Sequence, residues 1–244
     1  MNISRLLSVA PMMERTDRHC RYFFRLLSQQ TLLYSEMINA NAITKGNKTR
    51  LLNFSDIEHP LALQIGGSDP KLLAEATKIG VDWGYDEINL NVGCPSSKVS
   101  SGDFGAILMK RKDHVAKCVD AMAQFSSNVP ISVKCRIAVD DQDPEKILPS
   151  FIKTVSNSGV SIFIIHARKA ILSGLSPKDN RKIPPIDYNL VKKIKAQFPK
   201  LEICLNGEIK DLSSVTNFIN DGIDGCMIGR EVYKNPSKIL ENAD

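Results

Sequence analysis

The pentapeptide "NVGCP" puts Cys94 between Gly93 and Pro95, directly after an apolar run that reads as a buried strand. Gly93 permits a tight departure from that strand and Pro95 locks the next φ angle, so the thiol is held in one direction. The bland reading is a small core residue, which needs neither neighbour. Further polar groups fall at the ends of other apolar runs: Pro11-Met12-Met13, Glu36, Gln64, Asn91, Lys134, Arg136, His166, Arg168, Asn206-Gly207 and Gly229-Arg230. A lysine in such a place is expensive unless it faces an anion or an electron-rich ring. Lys134 is therefore either a Schiff-base nucleophile or a fixed charge beside a cofactor. His166 alone reads equally as a satisfied core residue, and the Gln64 amide can read the N–H and C=O edge of a ring. "NGE" (206–208) and "IGR" (228–230) offer glycine-exposed backbone N–H groups and the Arg230 cation, a combination that suits a phosphate. Plain turn glycines are the alternative.

Holding these groups together requires a scaffold that gathers strand ends. Eight β-rich runs cover 6–12, 32–37, 61–66, 87–93, 130–135, 162–167, 202–207 and 224–230. Between them lie helical stretches: one opening at Thr16 or Asp17, one opening at Asp69-Pro70 and closing on Gly80, and one stopping at Pro199. Strands without polar alternation, separated by helices, imply a parallel sheet covered on both faces. Eight such units predict a closed (β/α)8 TIM barrel over 1–244, with a doubly wound open sheet as the alternative. The catalytic groups of such a barrel sit at the C-terminal ends of its strands. The segment 168–186, rich in Pro, Gly and charge, is too long for a plain connection and marks a functional loop.

The bulk composition narrows the class. The 244 residues, 43% hydrophobic and 24% charged, suffice for one large domain. A net charge of +5 permits an anionic partner without demanding one. The six scattered cysteines show no CxxC and no metal-ligand spacing, so reduced thiols in the cytoplasm and no metal are expected. Cys118, Cys135, Cys204 and Cys226 lie in apolar segments and read as core. Neither a signal peptide nor a membrane span is expected, and oligomeric state is not readable.

The segments "SVAPMMERTDRHCRYFFRLL", "LALQIGGSDP", "EINLNVGCPSSKVSSGDFGAILM", "ISVKCRIAVDD", "FIIHARKAILSGLSPKDNRKIPPIDY" and "MIGREVYKNP" resemble the tRNA-dihydrouridine synthases, A-type branch. The resemblance implies an FMN-binding barrel that reduces the C5–C6 bond of tRNA D-loop uridines, with NADPH reloading the flavin. Hydride from reduced flavin goes to C6, and Cys94 protonates C5. By the same resemblance Pro11, Met12 and Met13 form the flavin platform, Gln64 meets its pyrimidine side, and Lys134 and His166 touch the isoalloxazine. Asn206, Gly207, Glu208, Gly229 and Arg230 would hold the phosphate end. Asn91 would contact the target uridine, Lys178 and Arg181 the tRNA, and Arg168 the substrate. The chain departs from the family at Glu14-Arg15, where Asp-Trp is usual, at Phe24, and at Glu208, where the branch has glycine. Relatives continue into a C-terminal helical domain that grips tRNA, and that domain is expected to be absent here. A free-pyrimidine reductase and a non-catalytic tRNA binder are the competing readings; the basic loop after strand six favours RNA over the first.

Overall fold

The computed structural model describes residues 3–244. Eight parallel strands, β1 (Leu7–Val9), β2 (Leu33–Asn39), β3 (Leu61–Gly66), β4 (Glu87–Val92), β5 (Ile131–Arg136), β6 (Ile162–His166), β7 (Glu202–Asn206) and β8 (Gly225–Ile228), pair in the order β1-β8-β7-β6-β5-β4-β3-β2. The ring closes where Ser8 bridges Leu32, with Val9 N–H donating to the Leu32 carbonyl at 2.9 Å. The expected (β/α)8 barrel is thus present, and the open doubly wound sheet is not.

Helices on the outside start where the sequence predicts. Asp17 caps Arg18–Leu27 by accepting from the N–H groups of His19 and Cys20, and Asp69 caps Pro70–Asp82 in the same way. Each cap satisfies N–H groups that have no partner within the helix. Gly80, expected to end the second of these helices, lies inside it. A Cβ there would fall 2.7 Å from Leu63 and 2.8 Å from Ile88, so this glycine lets the helix press onto β3 and β4. The chain instead leaves the helix through Gly84, at φ +94°.

The strands also correct an expectation. β4 reads "EINLNV" and does alternate. Ile88, Leu90 and Val92 join the core between sheet and helices, whereas Glu87, Asn89 and Asn91 hydrogen-bond to side chains of neighbouring strands. The barrel interior is consequently mixed. A small apolar group that includes Tyr34, Ala62, Ile164, Cys204 and Met227 sits beside this polar column, and the Arg5–Glu87 ion pair lies below it. The helix-facing core holds Cys118, Cys135 and Cys226, as expected, and also Phe24.

Candidate active site at the barrel mouth

The turn after β4 is fastened at several points. The Asn91 side-chain oxygen accepts the N–H groups of Gly93 at 3.1 Å and Cys94 at 3.0 Å. The Cys94 carbonyl accepts from Ala106 N–H at 2.9 Å, and Arg136 Nε donates to the Gly93 carbonyl at 3.2 Å. Pro95 stiffens the exit. Cys94 itself is half-buried and belongs to neither apolar core cluster. It lies close enough to Lys134, Arg136 and Arg181 to influence the charge of each.

Asn91, expected at the target uridine, spends its oxygen on this turn and one N–H on Gln64 Oε1 at 2.8 Å. A single N–H remains for any other partner. Gln64, expected at the flavin, is 1% exposed and donates to Asn89 Oδ1 at 2.7 Å. Both amides are thereby held in one orientation.

Lys134 rises from β5 and donates to Asn206 Oδ1 at 3.0 Å, while Asn206 donates in turn to the Met227 carbonyl. Burial, reinforced by the Arg136 guanidinium, pushes the Lys134 ammonium down to about 8. His166 is held well below the usual imidazole range by burial and by the surrounding Arg136, Lys134, Arg168 and Arg230 charges. It is therefore neutral at pH 7. Gly207, at φ +123°, passes directly against the imidazole: a Cβ there would lie 2.7 Å from His166 Cδ2. Gly207 is thus required for close approach as well as for its backbone angle.

The loops after β1 and β8 adjoin, since a Cβ on Gly229 would meet Ala10 at 3.6 Å and the Met12 sulfur at 3.9 Å. Pro11 and Met12 are half-buried and Met13 is exposed, in a turn tied by Met12 N–H to Thr16 Oγ1 at 3.0 Å. The unusual Glu14-Arg15 pair is built into this region. Glu14 N–H donates to the Glu36 carboxylate, and the Arg15 guanidinium lies 4.8 Å from the centre of the Tyr233 ring.

Two expectations change. Arg168, expected to bind substrate, is 3% exposed and anchors the long loop: it donates to the carbonyls of Lys182 and Pro184 and pairs with Glu208 at 3.0 Å. The Glu208 carboxylate, expected at the phosphate end, is occupied by that pair, which leaves only the backbone of this residue for an anion. Lys178 is exposed beside the short 3-10 turn Asp179–Arg181, and Arg181 is half-buried, its Nε atom without a hydrogen-bond partner among the described residues.

Arg136 and Asn180 acquired no role from sequence. Arg136 bridges the Gly93 carbonyl to those of Lys169 and Asn180, and the Asn180 amide closes the loop on Ile171, Leu175 and Ser176. Their only advance signal is position: an arginine at a strand end and an asparagine inside a long polar loop. The mouth as a whole is cationic. Among the described residues, Lys134, Arg136, Arg181 and Arg230 form no ion pair with a carboxylate, so the arrangement suits an anionic or electron-rich ligand.

Comparison with known proteins places this geometry in context. Residues 8–243 match the family described as dihydrouridine synthase. The chain is 54% identical over 230 residues to the tRNA-dihydrouridine(20/20a) synthase of Synechocystis, covering 94% of this chain and 68% of that protein. It is 55% identical over 230 residues to the enzyme of the same name from Escherichia coli K12, covering 94% and 66% respectively. The Vibrio cholerae enzyme is 54% identical over 236 residues, 96% of this chain and 71% of its own. The chain therefore spans about two thirds of these relatives' length. Among solved structures, TcOYE with pHBA superposes with a TM-score of 0.64 at 9% identity, covering 97% of this chain and 90% of that one. Morphinone reductase in complex with tetrahydroNAD gives 0.63 at 10%, covering 97% and 88%. At such identities the likeness is one of fold.

Proposed function

The chain belongs to the dihydrouridine synthase family, and we propose that it is a flavin-dependent tRNA-dihydrouridine synthase that works in the cytoplasm. The relatives' names point to uridines 20 and 20a of the D-loop as substrate, with the C5–C6 double bond reduced. FMN is the proposed resident cofactor and NADPH the electron donor. The residues of the mouth fit such a cofactor: cations without carboxylate partners suit its anionic parts, and the neutral imidazole of His166 stands among them.

When bound, reduced FMN supplies a hydride to C6 of the uracil ring. Lys134, fixed by Asn206, would set a positive charge beside the ring system, and Gln64 and the neutral His166 would complete its contacts. Pro11, Met12 and Met13 would form its platform. Gly207, the backbone of Glu208, Gly229 and Arg230 would hold the phosphate end. Addition at C6 leaves negative charge on C5 and its adjoining carbonyl, and the Cys94 S–H delivers a proton to C5 from the opposite face. Lys134, Arg136 and Arg181 then take up the charge that the sulfur acquires. The remaining Asn91 N–H is free to contact the uracil, and Lys178 and Arg181 face the tRNA backbone.

The observation that carries this reading is the thiol of Cys94, clamped through its backbone at a cation-lined mouth. The test is mass spectrometry of tRNA incubated with the protein, FMN and NADPH, beside Cys94→Ala. Dihydrouridine formed by the native protein and not by the variant is expected; none from either refutes the reading.

A further inference from the structure

Six side chains form an unbroken hydrogen-bonded line through the barrel interior, from the Cys94 turn down to Arg5. The N–H groups of Gly93 and Cys94 donate to Asn91 Oδ1. Asn91 Nδ2 donates to Gln64 Oε1 at 2.8 Å, and Gln64 Nε2 donates to Asn89 Oδ1 at 2.7 Å. Asn89 Nδ2 donates to Ser132 Oγ at 2.7 Å, and the Ser132 hydroxyl donates to Glu87 Oε1. Glu87 also accepts from Tyr34 at 2.6 Å and from Arg5 Nε at 2.7 Å. No member of the line is more than 8% exposed.

Every donation runs the same way, toward the carboxylate, and the reason lies in the two ends. A carboxylate paired to a guanidinium only accepts, so the Ser132 hydroxyl must donate to it and present its oxygen upward. Asn89 must then turn its NH2 group down and its oxygen up, and the same choice passes to Gln64 and to Asn91. At the top, backbone N–H groups only donate, which demands the Asn91 oxygen. Both ends impose one direction, and aligned bonds strengthen one another in a low-dielectric interior. Remove the lower constraint and only the N–H groups of Gly93 and Cys94 still hold the direction: Asn89 Nδ2 loses its acceptor, the aligned bonds above it weaken, and the Asn91 anchor of the turn loosens.

We propose that Glu87 and Ser132 are positioning residues for Cys94, fixing its turn through the direction of this line. The inference rests on the reading of Cys94 as the proton donor. In β4 the elements of the line recur at every second residue, Glu87, Asn89 and Asn91, and Ser132 and Gln64 complete it from the strands on either side.

The test compares Ser132→Ala with Ser132→Thr, which restores the hydroxyl. The rate of Cys94 alkylation by iodoacetamide is followed by peptide mass spectrometry, and kcat and KM are measured with tRNA. Ser132→Ala is expected to speed alkylation of the loosened turn about tenfold and to lower kcat about tenfold, the equivalent of one neutral hydrogen bond, with KM for tRNA unchanged. Ser132→Thr returns both toward the native values. A native alkylation rate in Ser132→Ala, or a threonine variant as impaired as the alanine one, overturns the proposal. Should Ser132→Ala fail to fold, Glu87→Gln, which keeps the shape but can donate, is read by the same alkylation assay, and an unchanged rate is equally fatal. If no variant and no native protein makes dihydrouridine, the catalytic reading has failed, while the alkylation rates still decide on the line.

Discussion

Arg168 and Glu208 meet at 3.0 Å across the ends of β6 and β7, the arginine buried and the carboxylate about one third exposed. Each came from a position that suggests ligand contact, and each instead neutralises the other. The pair explains how a carboxylate is tolerated beside a proposed phosphate site. Glu208→Gln should leave a buried guanidinium without its counter-charge and destabilise the fold by about 2 kcal/mol, read by chemical denaturation. A loss below about 0.5 kcal/mol would assign the anchoring of Arg168 to its backbone partners alone.

Cys94→Ala should retain bound flavin, because the turn is held through backbone atoms rather than through the sulfur. Removal of a general acid lowers rates by about 10²–10⁴-fold, so dihydrouridine formation should fall into that range. Flavin absorbance and single-turnover tRNA analysis are the two readouts. A variant with near-native turnover would exclude the thiol as proton donor.

Lys134 gives a pH signature of known sign. Its ammonium is pushed down to about 8 from an ordinary value of 10.5, so between these values the unfolded chain binds a proton that the folded one lacks. Ligand-free protein should therefore gain stability from this group as pH rises through that window. Affinity for FMN should move oppositely, weakening as pH rises through about 8 and the ammonium is lost. Lys134→Met should flatten that part of the affinity profile, which fluorescence titration at several pH values can measure.

Lys178 is exposed on the loop after β6, and among the described residues its ammonium forms no hydrogen bond or ion pair. Lys178→Ala should weaken tRNA binding alike for all tRNA sequences and reduce the slope of log K against log salt by about 1, with thermal stability unchanged. An unaltered salt slope would remove Lys178 from the interface.

Much of the molecule was legible in one dimension because the barrel writes local signals. Every strand carries a short cluster of β-forming apolar residues, and helix starts such as Asp17 and Asp69-Pro70 are read from caps whose chemistry acts over three residues. Strand ends then marked Lys134, His166, Asn206 and Cys94 as neighbours, since the fold sends all eight ends to one rim. Gly80 was misread because a helix terminator and a close-packing point use the same residue. Only the 2.7 Å approach to Leu63 separates the two. The alternation in "EINLNV" was passed over because its polar residues, directed into the barrel rather than toward solvent, are as buried as the apolar ones.

By itself, then, the order of residues determined the barrel and the place of Cys94 at its rim, because these follow from periodicity and local backbone chemistry. The tertiary structure alone decided which partner each buried polar group takes: Arg168 with Glu208, Arg136 with Gly93, and Glu87 at the foot of a line that ends at Cys94. Such pairings depend on register between strands far apart in the chain. A buried donor or acceptor must find its partner in space, and spacing along the chain does not say which one it meets.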